Sequence, residues 1–137
     1  LAPEDITHIA NKHRAFQGGP LAITERGSTF GYQNLVVDMR GLHLIGKKLN
    51  LPVIFDATHS VQRPSAGDGI TGGDRELAPI LARAAAAVGI DGLFCEVHPD
   101  PDNALSDGPN SLTFDLLEKT LRSVCPIDQI QRSTSSN

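Results

Sequence analysis

Apolar positions along this chain alternate between two rhythms. Near the start, Ile6, Ile9, Ala10, His13 and Phe16 recur at helical spacing behind Pro3, Glu4 and Asp5, which predicts an amphipathic helix closed at Gly18-Gly19. An unbroken apolar run follows, Leu21 to Thr24, bounded by Pro20 and Arg26-Gly27. Its brevity and lack of alternation predict a strand buried on both faces. After a Gly/Ser-containing loop, Leu35, Met39, Leu42, Ile45 and Leu49 return to the helical period. The same sequence of events then repeats. Pro52 to Asp56 is a second β-rich run, Ser60 to Gly73 a loop, and Leu77, Ile80, Leu81, Ala84, Ala85 and Val88 mark a helix that Gly89 closes. Pro79 lacks a backbone donor, so that helix either begins near it or kinks there. In the third unit, Gly92 to Glu96 is a strand and the loop passes through Asp107-Gly108-Pro109. Thr113 caps a helix bearing Phe114, Leu117, Leu121 and Val124. Residues 128–137 are expected to fray, since the chain is Ser, Thr and Asn from Ser133 onward.

Three β-loop-α units behind a leading helix define an α/β fold with parallel strands. A doubly wound sheet needs about five strands, and three are legible. A (β/α)8 TIM barrel takes about 250 residues, so residues 1–137 would form about the C-terminal half of a single barrel domain. Half a barrel has two open sheet edges. The remainder of the barrel is therefore expected to precede this segment, which opens at Leu1-Ala2-Pro3 without Met.

In a barrel the site forms at the C-terminal strand ends, and polar residues gather there: Glu25-Arg26, then Asp56 and His59, then Glu96 and His98. If Phe94 and Glu96 face one side of their strand, Leu93 and Cys95 face the other, which sets Glu96 inward and Cys95 against helices. Arg26 has the fork to grip a phosphate or carboxylate, or else it is a surface arginine paired with Glu25 or a helix end. His59 suits a metal ligand, an anion contact or an acid/base, and equally an ordinary loop polar group. Glu96, ending an apolar strand, must find a partner or become neutral. With His59 and Asp107 it makes an N/O donor set for a divalent cation, although the spacing alone is a weak motif. Gln62, Arg63, Gly67, Gly69, Gly72 and Gly73 give the loop from Ser60 to Gly73 the length and make-up of a lid or of a plain surface loop. His8, His13 and His43 lie on helices and are read as solvated or packing residues.

Composition narrows the class. Hydrophobic residues are 39% of the chain and the net charge is -4, with no Lys/Arg cluster, which gives no electrostatic footprint for nucleic acid or an anionic membrane. No apolar run approaches the roughly 20 residues of a membrane span, and the start lacks a signal peptide's pattern. A cytoplasmic setting is the expectation, with Cys95 and Cys125 as free thiols.

Several strings taken together resemble the 3-deoxy-D-manno-octulosonate 8-phosphate synthases: Glu25 to Tyr32, Asn34 to Met39, Asp56 to Gln62, Glu96 to Pro101 and Ala104 to Pro109. The resemblance extends to about Ile127. It implies a (β/α)8 barrel that condenses phosphoenolpyruvate with D-arabinose 5-phosphate and releases phosphate, on the route to lipopolysaccharide, typically as a homotetramer. By motif position Arg26 would bind the phosphoenolpyruvate phosphate. His59 would lie between that substrate and a metal, Glu96 and Asp107 would complete this half's ligands, and Gln62 would lie near the substrates. Ser106-Asp107 resembles the metal-dependent branch, although the Cys or Asn position that separates the branches is not in this chain. The lysines that hold phosphoenolpyruvate also belong to the other half, so this segment alone is expected to be inactive. The related 3-deoxy-D-arabino-heptulosonate 7-phosphate synthases share the last strand and loop, whereas Phe30-Gly31-Tyr32 and Thr58 to Gln62 favour the octulosonate enzymes. A non-catalytic half-barrel acting as a binding or assembly module is the other alternative.

Overall fold

A computed structural model gives the fold and describes residues 3–30, 34–64 and 72–135. Gly31, Tyr32, Gly67 and Gly69, singled out from the sequence, lie outside the described residues, as do the last two residues of the tail. In chain order the elements are α1 (Pro3–Ala15), β1 (Ile23–Glu25), β2 (Ser28–Thr29), β3 (Leu35–Val36), α2 (Met39–Leu49), β4 (Val53–Asp56), β5 (Gln62–Arg63), β6 (Gly72–Gly73), α3 (Ala78–Val88), β7 (Gly92–Phe94) and α4 (Phe114–Ser135). Short 3-10 turns at His59–Val61, Arg75–Leu77 and Pro101–Asn103 complete them.

The three units form one parallel sheet in the order β1-β4-β7. Registers of Ile23 with Val53, Ile54 with Gly92 and Asp56 with Phe94 bring the three C-terminal strand ends to one rim. Two short antiparallel pairs, β2 with β3 and β5 with β6, lie in the loops.

Alternation assigns the faces. Val53 and Phe55 are buried, and Leu93 and Cys95 pack beside them against a core built from Ile6 and Ala10 of α1, Leu42, Ile45 and Leu49 of α2, Ala82, Ala85 and Ala86 of α3 and Val124 of α4. Small alanines on α3 let it approach closely, and the dominant stabilisation is apolar burial. On the opposite face Thr24 and Phe94 are exposed. The strands are therefore covered on one side only, where the sequence predicts burial on both, because α1 to α4 all contribute to one core.

Local chemistry explains most element ends, and corrects four expectations. Leu35 is on β3, not on the following helix, because Asp38 adopts an extended conformation and caps α2, accepting from the Arg40 N–H. The Arg40 guanidinium beside Asp38 holds that carboxyl below its ordinary range. At the end of α1 it is Gln17, not a glycine, that turns left-handed, while the Gly18 N–H bonds the His13 carbonyl. Ile9 of α1 is exposed rather than packed, as is Phe16, which lies just beyond the end of that helix. The tail expected to fray from residue 128 is helical to Ser135. Pro126 is accommodated within α4, Asp128 pairs with Arg132 at 2.8 Å, and Ile127 packs against the core. Propensity alone ends the helix early; packing carries it on.

Other expectations hold. Helix α3 begins at Ala78 with Pro79 in its first turn, where the missing donor costs nothing, and ends at Gly89 (φ 101), whose N–H bonds the Ala85 and Ala86 carbonyls. Thr113 caps α4, accepting from the Leu116 N–H at 3.2 Å. His8, His13 and His43 lie on α1 and α2. Cys95 and Cys125 are free. Burial, and then the negative charge of Asp56, push the Cys95 thiol up to about 11. At pH 8 roughly one Cys95 in a thousand is then thiolate. Of these two cysteines, the exposed Cys125 is expected to react first with a maleimide, and Cys95 only on unfolding; mass spectrometry of the labelled folded protein checks this, and equal labelling would contradict it.

Candidate metal and substrate site

The rim of the sheet is assembled by hydrogen bonds that continue where the strands stop. Beyond Asp56, the Ala57 N–H still reaches the Phe94 carbonyl at 3.0 Å, and Ser60 Oγ ties the turn by donating to the Ala57 carbonyl at 2.8 Å. This turn carries His59. Its N–H donates to Asp56 Oδ1 at 3.0 Å, and its Nδ1 lies 2.7 Å from Asp56 Oδ2. A carboxylate at Nδ1 selects the tautomer that carries its proton there and leaves Nε2 with a lone pair.

That Nε2 faces Glu96 Oε2 at 3.1 Å. An imidazole lone pair and a carboxylate oxygen repel each other at this distance unless a second proton or a cation lies between them. Asp107 supplies the third group. Donor atoms of His59, Glu96 and Asp107 all lie within 4.8 Å of one another, an N/O/O set of the kind a divalent cation takes. The donor chemistry therefore fits a metal, and among the described residues this is the group of three with that property.

The loop after β7 positions Asp107 by returning to the sheet. The Leu112 N–H donates to the Glu96 carbonyl at 2.9 Å and the His98 N–H to the Leu112 carbonyl at 3.0 Å, closing a bridge between Val97 and Leu112. Within the closed loop the Asp107 carbonyl accepts from the N–H groups of Asn110 and Ser111 and from Ser111 Oγ. Asp107 itself takes a left-handed backbone (φ 52), which Asp tolerates better than most residues. Gly108 follows, where a Cβ would fall 2.3 Å from the Pro101 carbonyl oxygen, so only glycine allows this approach.

Of the five residues selected from the sequence, His59, Glu96 and Asp107 meet. Gln62 joins them indirectly, since its Nε2 donates to Asp107 Oδ1 at 2.9 Å. Arg26 follows β1 on the same rim and is exposed. His98 is turned elsewhere, accepting from the Asp100 N–H. The lid candidate is anchored at both ends: β5 pairs with β6, so Gln62 faces Gly73, and Arg63 pairs with Asp74. Arg75 meets Asp102 at 2.6 Å across the neighbouring cleft.

Sequence reading missed Thr58. It is fully buried, donates to Asp56 Oδ1 at 3.1 Å and accepts from the Glu96 N–H at 3.0 Å. Nothing in its local sequence signals this. A carboxylate closing a buried strand requires partners, and for Asp56 they are Thr58 and His59.

Comparison with known proteins places the chain in a family. A family model described as the DAHP synthetase I family matches residues 1–131. A 2-dehydro-3-deoxyphosphooctonate aldolase of Legionella pneumophila (strain Lens) is 50% identical over 137 residues, 100% of this chain and 50% of that protein. Proteins of the same name from Desulfatibacillum aliphaticivorans and Rickettsia bellii (strain OSU 85-389) are 53% and 51% identical, over 88% and 96% of this chain and 44% and 48% of their own lengths. The chain spans about half the length of the curated relatives it matches. Among the described residues no helix is long and apolar enough to cross a membrane.

Proposed function

Because the chain belongs to the DAHP synthetase I family, we propose that it is the C-terminal part of a (β/α)8 barrel transferase that condenses phosphoenolpyruvate with D-arabinose 5-phosphate, giving 3-deoxy-D-manno-octulosonate 8-phosphate and inorganic phosphate. The observation that carries the substrate choice is the name shared by relatives about half identical to this chain. Support for the barrel comes from the one-directional strand order and from a sheet face, bearing Thr24 and Phe94, that the four helices leave uncovered.

In this reading His59 Nε2, Glu96 and Asp107 hold a divalent cation. Bound there, the cation would orient the aldehyde or lower the pKa of a water. The reaction joins the enol carbon of phosphoenolpyruvate to the aldehyde carbon, adds water at the carbon bearing phosphate, and breaks that carbon–oxygen bond. Arg26 offers a bidentate guanidinium to the phosphate and stabilises the charge it carries away. Asp107 moves a proton at its carboxylate, and Gln62, tethered to Asp107, borders the substrates. The intact protein is proposed to be a cytoplasmic homotetramer serving lipopolysaccharide synthesis, and the chain alone to be inactive.

The test is a comparison of aldehydes. Full-length protein supplied with phosphoenolpyruvate is expected to release phosphate with arabinose 5-phosphate in preference to erythrose 4-phosphate. The reverse preference would assign it instead to the heptulosonate enzymes, and turnover of neither would leave a binding or assembly module.

A further inference from the structure

The rim contains a hydrogen-bond chain that reaches both His59 and Glu96 without itself facing the space between them. In a continuing parallel ladder the Glu96 N–H would meet the Ala57 carbonyl. That carbonyl is occupied by Ser60 Oγ, and the Glu96 N–H goes to the Thr58 hydroxyl instead. The same hydroxyl gives its one proton to Asp56 Oδ1. Asp56 in turn receives the His59 N–H on that oxygen and the His59 ring on the other.

From this connectivity we infer that Thr58 and Asp56 are positioning residues which fix His59 and Glu96 at one mutual distance, so that a cation meets a preset pair of ligands. The inference rests on the cation reading of the site given above. Three observations carry it. Thr58 is fully buried and Asp56 nearly so, which means neither finds water as a substitute partner. The hydroxyl is used in both directions, so its orientation is fixed by the two bonds together. Its two partners lie on different strands, β4 and the extension of β7, and the link therefore sets the spacing between the strand ends where the ladder has run out. Asp56 adds a second constraint by holding the imidazole at both its ring and its backbone, which leaves Nε2 aimed at Glu96.

Cobalt(II) is the probe, titrated into the full-length protein in competition with a chromogenic chelator, with its visible absorption recorded. Thr58→Val keeps the shape and removes both bonds. It is expected to weaken cobalt binding about 10- to 100-fold and to shift the absorption band, whereas Thr58→Ser restores the parent's behaviour. A threonine that only supports the fold would lower the melting temperature of the metal-free protein and leave affinity and band unchanged, which would overturn the inference. Should Thr58→Val fail to fold, Asp56→Asn gives the second reading, again as weakened cobalt binding. Parent-like affinity in these variants, with His59→Ala losing the metal, sinks the positioning role and keeps the cation site. A parent protein that binds no cobalt sinks both.

Discussion

Glu96→Gln in the full-length protein is expected to weaken divalent-cation binding by at least about 100-fold, beyond the roughly 10- to 100-fold typical of losing a partner one bond further out. The substitution keeps the size of the side chain and removes a charged donor from a set of three whose atoms lie within 4.8 Å of one another. Turnover is expected to fall about 100-fold or more, equivalent to ~2.7 kcal/mol of transition-state stabilisation. Metal content by elemental analysis and phosphate release are the two measurements. Chelating the parent should bring it down to the level of the variant, and chelating the variant should change little, because both remove the same group. Parent-like metal content and turnover in Glu96→Gln would leave Glu96 with only a hydrogen-bonding role toward His59.

The largest expected effect on stability is at Phe55. Its side chain is fully buried on the helix-facing side of β4, the central strand of the parallel sheet, with neighbours in register on β1 and β7. Phe55→Ala removes the ring and leaves a cavity that three strands and the covering helices cannot readily close, a loss of about 3–5 kcal/mol. Against a net stability of about 5–15 kcal/mol, that lowers the melting temperature by roughly 10 °C. Calorimetry of the full-length protein checks it. A shift of only one or two degrees would mean that the layer between sheet and helices is far looser than the burial of Phe55 indicates. Because Asp56 follows directly, the variant is also expected to lose cation affinity, through displacement of His59.

The sequence by itself determined the repeat of strand, loop and helix, since apolar runs and helical spacing are local signals. It also determined the facing of β7: alternation alone sets Glu96 toward the rim and Cys95 toward the helices. Gly89 and Thr113 announced their helix ends because caps act within a single turn. The identities of His59, Glu96 and Asp107 as candidates came from residue chemistry and from resemblance to known synthases.

Only the tertiary structure decided which of those candidates meet. The span from His59 to Asp107 is bridged by the pairing of β4 with β7 and by the return of Leu112 to Glu96, contacts between residues far apart in the chain. Local sequence carries no distance information across such a gap. The same reason hid Thr58, whose two partners are defined by how strands end side by side, and the β2–β3 pairing that takes Leu35 out of its expected helix. It also explains α4, where packing of Ile127 against the core extends a helix that composition would have ended. Hydrophobic pattern sets what each segment becomes; hydrogen bonds between distant segments set where its side chains work.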